Sequence, residues 1–470
     1  MSNNNPYSNK ATEQNTPPKK RVRWLFIASL FGVPFLILLL TTFAFRVAWT
    51  IRENSGREVF DNELAKLQDE GIPIDNASLA ESYKSRTSNQ LSENWVLILN
   101  ALSSIEFTES SRGVPELDRQ VIVDEFAEDF DLSENWQYRD PCIRFADEQS
   151  LLIASARRAA TETRPALFPI EFRSIETMLP EVQDVRSIAW ILRIDAQVAM
   201  HQNDRDRAFE DIVALFELPK HVDHVPFFVS KLVGIAVRRL ALRTLQVAIQ
   251  HNILNEEQLR ILDGKLATCS DIDERWQGLM IDELSASLPV FINPGIAKRS
   301  KSDLPARGRD GVCFIGIMRK AMTIPSEDWV QLHDSANELD LERDRTYQGF
   351  MNSIDNMLTA LLTPAFKSSS EALINDAQLH RQARIAIAVR LHQIETGALP
   401  TTLDELPILY RELTTYGKHP FGYIRSGNNA MLWGFLLTDK TRSVPSLPPD
   451  TTQMISESLD NRRVVWNLEH

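Results

Sequence analysis

Two neighbouring histidines are the residues best suited to metal chemistry. His221 and His224 are separated by two residues, with Asp223 between them and Glu217 upstream. On one helical turn this spacing could bring two imidazoles together, but protein zinc sites usually use three or four ligands. No other histidine or cysteine cluster stands near them in the sequence. We therefore interpret them as polar residues at a helix end, and predict no metal site and no cofactor.

An acidic stretch within residues 108–140 is a second candidate for ion binding. Its carboxylates are Asp124, Glu125, Glu128, Asp129 and Asp131. Calcium loops alternate their ligands as Asp-x-Asp-x-Asn-Gly, and this order is missing here. We interpret the stretch as an acidic, solvated helix.

The 17 glycines form no motif for a nucleotide or a catalytic serine. None are two or four residues apart, which excludes GxG and GxSxG. Gly311 and Gly316 have the spacing of a phosphate-binding loop, but Ile317 follows where that loop needs lysine. His380 and His392 are too far apart on one predicted helix to share a ligand. We predict no catalytic residue, although carboxylates that meet only in the folded chain leave hydrolysis open.

The N-terminal region is basic, whereas the remainder of the chain is acidic. Residues 1–52 carry seven basic side chains and one acidic side chain, a net charge of +6, but the whole chain carries −13. A strongly acidic body stays soluble and repels phosphate backbones. We therefore predict that nucleic acid is not a partner.

The segment from Trp24 to Phe45 contains no charged side chain. As a helix it would span roughly 33 Å, close to the thickness of the hydrocarbon core of a bilayer. The basic sequence KKRVR before it resists translocation, and Trp24 and Trp49 suit the two interfaces. We predict a single transmembrane helix at 24–46 in the plasma (inner) membrane. The lipid bilayer is then a partner, the N-terminus is cytoplasmic, and the large domain is extracytoplasmic, in the periplasm.

A cleaved signal peptide is the main alternative to this anchor. Its apolar region is typically about 7–15 residues long and ends in small residues. The segment here is longer and ends in Phe43-Ala44-Phe45-Arg46. A buried soluble helix would need a polar face, which the segment lacks. Residues 1–20, rich in Asn, Ser, Thr and Pro, are predicted to be a disordered cytoplasmic tail.

Beyond the anchor, the sequence predicts a mainly α-helical domain with a small C-terminal α+β module. The predicted divisions are a juxtamembrane helical region at 53–140, a central α-helical domain at 141–290, a linker at 291–325, a helix with a small antiparallel sheet at 326–440, and a tail at 441–470. The three cysteines allow at most one disulfide, so the core must hold the domain together. They are Cys142, Cys269 and Cys313.

The central domain has the clearest helical periodicity. Apolar residues recur on one side of 184–200 and of 207–218, with a turn at Asn203-Asp204 between them. The segment 225–249 is apolar nearly all round, but its basic side chains make it a poor bilayer helix, so we predict the buried central helix of this domain. Those side chains are Lys231, Arg238, Arg239 and Arg243.

Several helix ends carry recognisable signals. Ser78 with Glu81 and Asn255 with Gln258 predict capping boxes, and Ser326 is expected to cap a later helix. A helix at 372–396 should end at Gly397, because glycine suits the left-handed conformation that closes many helices. Residues 430–437 form a strand candidate.

The C-terminal module carries a familiar pattern. The run from Arg384 to Ala388, the run Gly397-Ala398-Leu399-Pro400-Thr401-Thr402-Leu403-Asp404-Glu405-Leu406 and the run from His419 to Tyr423 resemble the C-terminal part of type II secretion pseudopilins. The same element is similar to the end of many uncharacterised single-pass membrane-anchored planctomycete proteins. The resemblance covers about 55 residues within the range of roughly 376–437, and it implies a long helix followed by a small sheet.

Two departures limit what this resemblance implies. Pseudopilins have a peptidase site and a glutamate near the start of the apolar helix, whereas Trp24–Phe45 contains no acid. Their calcium loop is acidic, whereas Ser426-Gly427-Asn428-Asn429 contains no carboxylate. The resemblance therefore implies a shared fold element and supports neither pilus assembly nor calcium binding.

The sequence favours a non-catalytic, membrane-anchored scaffold or interaction module with an unknown protein partner. The anchor, the acidic helical body and the lack of local motifs lead to this prediction. A hydrolase with a non-local active site is one alternative. An accessory protein for envelope secretion or transport is another, and it depends on the pseudopilin-like segment alone.

Overall fold

The computed structural model describes residues 20–104, 136, 139–268, 272–292, 308–326, 328–346, 348–349, 356–416, 419–427, 429–434 and 465–468. Within these ranges some side chains are not described, most of them between residues 20 and 53. The acidic residues 124–131, predicted to belong to a solvated helix, Cys269 and most of the disordered tail predicted at 1–20 lie outside the described residues.

The fold is mainly helical, as the sequence predicts. Its helices are α1 (Lys20–Asp69), α2 (Asn76–Arg86), α3 (Glu93–Ser104), α4 (Arg139–Glu148), α5 (Ser150–Ala160), α6 (Pro180–His201), α7 (Arg205–Glu217), α8 (Pro219–Asp223), α9 (Phe228–Gln250), α10 (Glu256–Ala267), α11 (Ile272–Ile292), α12 (Gly308–Met322), α13 (Trp329–Thr346), α14 (Met357–Leu362), α15 (Phe366–Thr396) and α16 (Ile408–Arg411). Short 3₁₀ turns cover Leu403–Glu405 and Glu412–Thr414.

The strands lie in the C-terminal part of the chain. They are β1 (Thr415–Tyr416), β2 (His419–Pro420), β3 (Gly422–Ser426), β4 (Asn429–Trp433) and β5 (Val465–Leu468). β1 pairs with β2, and β3, β4 and β5 form a three-stranded sheet in that order, with every pair antiparallel. The helix-then-sheet order of the predicted C-terminal module is therefore present. The strand candidate at 430–437 is confirmed as far as Trp433.

The predicted helical hairpin of the central domain is confirmed. Helices α6 and α7 pack against each other along their lengths, and Asn203 makes the turn between them with a φ of 58°. Asparagine tolerates this left-handed conformation better than most residues, because its short polar side chain can bond locally. Asp204 then caps α7 by accepting a hydrogen bond from the Arg207 N–H at 3.2 Å.

Helix α9 is the buried central helix that its composition predicts. It contributes side chains to three apolar clusters, represented by Val237, Leu245 and Ile235. The first cluster joins it to α2–α7, the second to α10, the end of α15 and the sheet, and the third to α1 and α11–α15. An apolar surface on every side of one helix lets these three cores meet around it.

Glycines in α12 let its main chain lie close to α1. A Cβ atom on Gly308 would lie 2.5 Å from the Cα of Arg57, and one on Gly311 would lie 2.4 Å from the Phe60 ring. Phe60, with Leu64 and Leu67 on later turns, is buried in the third cluster. The C-terminal half of α1 is thus part of the core of the domain, as the apolar stripe of the juxtamembrane region predicts.

The predicted membrane span at 24–46 lies largely outside the side chains that the structure describes, although its backbone belongs to α1. Among the described residues, no helix combines the length and the apolar composition needed to cross a membrane.

One predicted helix cap is wrong by three residues. Asp75, rather than Ser78, caps α2, and Ser78 supplies the reciprocal bond of the box from inside the helix. The Asp75 carboxylate accepts the bond of the Ser78 N–H, because a short acidic side chain at the N-cap reaches the free N–H groups of the first turn. At the start of α13, Asp328 accepts the bonds of the Val330 and Gln331 N–H groups, and the cap expected at Ser326 stays a prediction. The capping box of Asn255 with Gln258 is confirmed.

Two predicted divisions also need correction. The linker at 291–325 contains α12, because the apolar residues after Gly311 pack on α1 and α11. The tail at 441–470 contains β5, which pairs with β4 and buries Trp466 and Leu468 in the second cluster. A strand this short is stabilised by a partner that is distant in sequence, so local pattern does not reveal it.

Gly308→Ala should lower the free energy of unfolding by about 2 kcal/mol, because backbone atoms of α1 occupy the space of the new methyl group. Gly316→Ala in the same helix is the matched control. It is exposed, nothing lies near its added Cβ, and it should raise stability by up to about 1 kcal/mol. Urea unfolding followed by circular dichroism measures both, and equal effects of the two substitutions would contradict the close contact.

Candidate functional site

Three helices bring polar side chains to one place inside the apolar domain. Helix α9 contributes Lys231 and Arg238, α11 contributes Arg275 and Asp282, and α15 contributes Asp376 and His380. Each pair is four or seven residues apart, so its two members lie on the same helix face. These faces converge, because α9 packs against both α11 and α15 and α11 packs against α15.

Asp376 is the centre of this cluster. Its side chain has 0% of its surface exposed, and one carboxylate oxygen, Oδ2, accepts hydrogen bonds from Arg238 Nε at 2.9 Å and from Arg275 Nη2. Burial alone would raise the pKa of Asp376, but the two guanidinium groups outweigh it and hold that pKa well below its usual value. The carboxylate is therefore ionised, and it ties three helices together through two charge-assisted contacts.

Asp223 extends the cluster towards solvent. Its Oδ2 accepts a hydrogen bond from Arg238 Nη1 at 2.5 Å, and its main-chain oxygen accepts one from Lys231 Nζ. The carboxylate lies directly against Gly234 of α9, where a Cβ atom would be 2.1 Å from Oδ1. A glycine at this position makes room for Asp223 between two basic side chains of α9.

Two further carboxylates each bind two basic groups. Glu217, at the end of α7, accepts from Lys220 at 2.7 Å and also from Lys265 of α10. Asp282 pairs with Lys231 at 2.9 Å and with Arg86 at 3.3 Å. Burial would raise the pKa of Glu217, but the two lysines outweigh it and lower that pKa.

A cavity of about 540 Å³ opens among these groups. Its polar lining includes five basic side chains and three acidic ones, together with two histidines, His224 and His380. The basic residues are Lys220, Lys231, Arg238, Lys265 and Arg275, and the acidic ones are Glu217, Asp223 and Glu274. Its apolar wall is formed by Phe216, Ile235, Leu266, Leu279 and Leu373, among others. A concave, mostly apolar space with a few convergent polar groups is the usual form of a ligand site.

Both histidines of the cavity are neutral near pH 7. Burial lowers the pKa of His380 to about 4; the Asp376 carboxylate opposes the shift, and the guanidinium groups of Arg238 and Arg275 reinforce it. Burial also lowers the pKa of His224, whose Nδ1–H donates to the Lys220 main-chain oxygen at 2.8 Å. Neither ring adds positive charge to the cavity.

His221, the other half of the predicted histidine pair, points into the core. Its Nδ1 accepts from the Ala166 N–H at 3.0 Å, and its Nε2 lies 3.1 Å from the Ala160 carbonyl oxygen, to which it donates. Because both ring nitrogens are engaged, His221 and His224 do not act together as metal ligands. Across the described part of the chain, no group of three or more histidine, cysteine or carboxylate side chains is placed to hold a metal ion.

The chemistry available in the cavity is ionic binding. The described lining residues contain one hydroxyl, that of Thr268, and it donates to the Lys265 main-chain oxygen at 2.7 Å. An activated nucleophile needs a neighbouring base within hydrogen-bond reach, and Thr268 is not held by one. The basic side chains, in contrast, are held in place by carboxylates and present charge to a partly desolvated space.

A second buried ion cluster has a structural role. Arg157 of α5 binds Asp211 of α7 at 2.6 Å and also Asp195 of α6, which Arg207 binds from the other side. Burial raises the pKa of Asp211 well above its usual value, opposed by Arg157. These contacts join three helices outside the cavity lining.

The sequence contained a signal for the cavity that local motifs do not capture. Basic residues within an otherwise apolar central helix were a reason against a second membrane span, and Arg238 is among them. A charge buried in such a helix requires a partner, so the pattern predicts a buried ion pair. The partner Asp376 is far away in sequence, and only the fold identifies it.

Comparison with known proteins identifies no relative: no family model matches the chain, and neither a curated protein nor a solved structure is detectably similar to it. The resemblance of residues 376–437 to pseudopilins therefore stays a prediction.

Asp376→Asn should destabilise the domain by about 3 kcal/mol or more, because Arg238 and Arg275 would lose the charge that compensates them inside the core. Asp404→Asn, at an exposed position after the same helix, should change stability by less than about 0.5 kcal/mol. Chemical unfolding of the two variants is the measurement. A loss below about 1 kcal/mol at Asp376 would show that the cluster does not hold the helices together.

His221 and His380 should each contribute a loss of stability as the pH is lowered from about 6.5 to about 4. Burial lowers the pKa of both imidazoles to about 4 from an ordinary 6.5, so in this range each binds more protons in the unfolded chain than in the folded one. Asp184 and Glu283, whose pKa values burial raises to about 6 and about 7, act in the opposite direction, so the test compares variants with the natural sequence. The stability deficit of His221→Leu at pH 7 should shrink as the pH falls to 4.5, whereas any effect of His251→Gln, at an exposed position, should not change with pH. Urea midpoints measured between pH 7 and 4.5 test the prediction, and a deficit of His221→Leu that does not depend on pH would contradict it.

Proposed function

We propose that the chain is a membrane-anchored, extracytoplasmic interaction module, and that the cavity among α8, α9, α10, α11 and α15 is its binding site. The observation that carries the proposal is the continuity of α1. A single helix runs from Lys20 to Asp69, so the uncharged segment Trp24–Phe45 and the buried residue Phe60 belong to the same rigid element.

The described side chains of the proposed span suit a lipid environment. Phe35, Leu38, Leu39, Leu40 and Phe43 are exposed rather than packed on the domain, with 62% of the Phe35 surface accessible. The hydroxyls of Thr41 and Thr42 donate to main-chain oxygens one turn earlier in the helix. Polar groups in a bilayer need such internal partners, because no water is available to them.

The distribution of charge supports the proposed orientation. The basic cluster from Lys19 to Arg23 precedes the span, and positive charge on the flank of an apolar helix favours the cytoplasmic side. The domain that follows is acidic, which is compatible with passage to the periplasm.

A binding role is favoured over catalysis because three carboxylates in and beside the cavity are paired with basic side chains. Asp376, Asp223 and Glu217 are each paired with basic side chains. A general acid or base works best with a pKa near the working pH, whereas paired carboxylates with depressed pKa values, such as Asp376 and Glu217, are poor bases.

A hydrolase is the second candidate, and one observation favours it. His380 lines the cavity as a neutral imidazole one helical turn from Asp376, and a neutral imidazole can accept a proton from water, although its lowered pKa of about 4 makes it a weaker base than an ordinary histidine. Turnover of an ester or a phosphate ester by the purified chain, lost in His380→Ala, would establish this activity in place of simple binding.

A reporter fused after residue 470 should reveal an extracytoplasmic C-terminus in a bacterial host with two membranes. Alkaline phosphatase, which needs the oxidising periplasm for its disulfides, should be active there, and green fluorescent protein exported unfolded should stay dark. Replacing Lys19, Lys20, Arg21 and Arg23 by asparagine should reduce the phosphatase signal relative to Lys10→Asn. A fluorescent, phosphatase-negative fusion would overturn the proposed topology, and a shortened product in the soluble periplasmic fraction would indicate a cleaved signal peptide instead.

A further inference from the structure

The cavity combines an apolar wall with a charged side. Ile235, Leu266, Leu279 and Leu373 line it from four different helices, so the apolar wall is formed by more than one element. The charged part of the lining includes Lys220 and Lys265, which are 24% and 31% exposed and so stand towards solvent, at the mouth. A ligand that fits both sides must itself have an apolar body and a charged end.

The charge of that end follows from the residues around the cavity. The described lining contains five basic and three acidic side chains, and the buried Asp376 adds a fourth acid. Arg86 and Asp282, which pair next to Lys231, cancel each other. Because both histidines are neutral, the described groups sum to one net positive charge, and Lys220 and Lys265, which share the single carboxylate of Glu217, carry that excess locally. The whole chain has a net charge of −13. A region of net positive charge within it is therefore a specific local arrangement and does not follow from the overall composition.

We propose that the cavity binds a singly charged organic anion with an apolar body, such as a carboxylate or a phosphodiester. This inference rests on the proposed function, because it names the ligand class of the same site. The apolar body packs against Ile235, Leu279 and Leu373, and the anionic group is held at the mouth by Lys220 and Lys265.

The two lysines are the groups best able to take a new anion. Arg238 and Arg275 are fixed by the buried carboxylate of Asp376, and moving either would leave that charge unsatisfied. Lys220 and Lys265 share a single carboxylate, Glu217, and their flexible side chains carry three donors each. An anion placed between them can accept from both while Glu217 keeps one contact to each.

Gly278 provides a direct test of whether the space is used. It lines the cavity from α11, and no atom lies within 4 Å of a Cβ built on it. A Cβ atom at this position therefore meets no clash, and replacing a glycine within a helix also raises helix propensity by about 1 kcal/mol. Gly278→Leu should fill the space and leave the fold intact.

The experiment measures binding to the full chain in amphipol by titration calorimetry. The carboxylate probe is 4-phenylbutyrate and the phosphodiester probe is dibutyl phosphate, and whichever binds more tightly identifies the anionic group. Acetate lacks the apolar body, 4-phenylbutanol lacks the charge, and 4-phenylbutylamine reverses it. At least one of the two amphipathic anions should bind at least ten times more tightly than each of these three controls.

Variants then locate the binding. Gly278→Leu should abolish it while the unfolding temperature stays equal or rises, and Lys220→Met with Lys265→Met should weaken it at least tenfold. Lys66→Met, an exposed lysine on α1, should leave the affinity unchanged. Unchanged affinity in Gly278→Leu would overturn the site, equal affinity for 4-phenylbutanol would overturn the role of charge, and no binding of either anion would overturn the ligand class.

The result of the binding experiment can be distinguished from the result of the topology experiment that tests the proposed function. A fusion reporter that places the domain in the cytoplasm refutes the topology without affecting the titration. Absence of anion binding, with the C-terminus found outside the cytoplasm, refutes the ligand class and leaves the anchored module in place.

Discussion

The packing of the domain depends on one buried carboxylate. Asp376 has no exposed surface, and it can stay ionised there only because Arg238 and Arg275 reach it from two other helices. This requirement fixes the rotation of α9, α11 and α15 about their axes, since each must present one particular residue to the same point. Apolar contacts alone would tolerate several rotations, because leucine, isoleucine and alanine side chains can repack with small changes in volume. The ionic contacts therefore select one arrangement, and the cavity lies beside them as a result.

A different constraint joins α1 to this domain. The main chains of α1 and α12 approach so closely that side chains at Gly308 and Gly311 would overlap Arg57 and Phe60. No loop separates the buried half of α1 from the proposed membrane span, because the helix is continuous. Under the proposed topology, the domain has a fixed rotation relative to the anchor, and the mouth of the cavity keeps a constant direction relative to the membrane.

The sequence predicts the elements whose information is local. The periodicity of 184–200 and of 207–218 gave both helices of the hairpin, and Gly397 ends α15 in the left-handed conformation, with a φ of 77°. The sequence-based predictions were wrong where an element depends on residues that are distant in sequence. Helix α12 depends on its contact with α1, and β5 on its pairing with β4. The cavity is hidden for the same reason: Glu217, Lys220, Asp223 and His224 lie within eight residues of each other, but the groups that complete the lining join them only after α9, α11 and α15 have packed.

Gly278 has a consequence for how this protein could evolve or be engineered. Gly234, Gly308 and Gly311 are required by atoms that lie against them, whereas no atom lies within 4 Å of a Cβ placed on Gly278. A glycine inside a helix lowers its stability by about 1 kcal/mol relative to alanine. A stabilising substitution is thus available at this position, and it would reduce the empty volume next to the buried ion cluster. A larger residue at position 278 would stabilise α11 but would also fill part of the cavity. The natural glycine gives up that stability and leaves the cavity open.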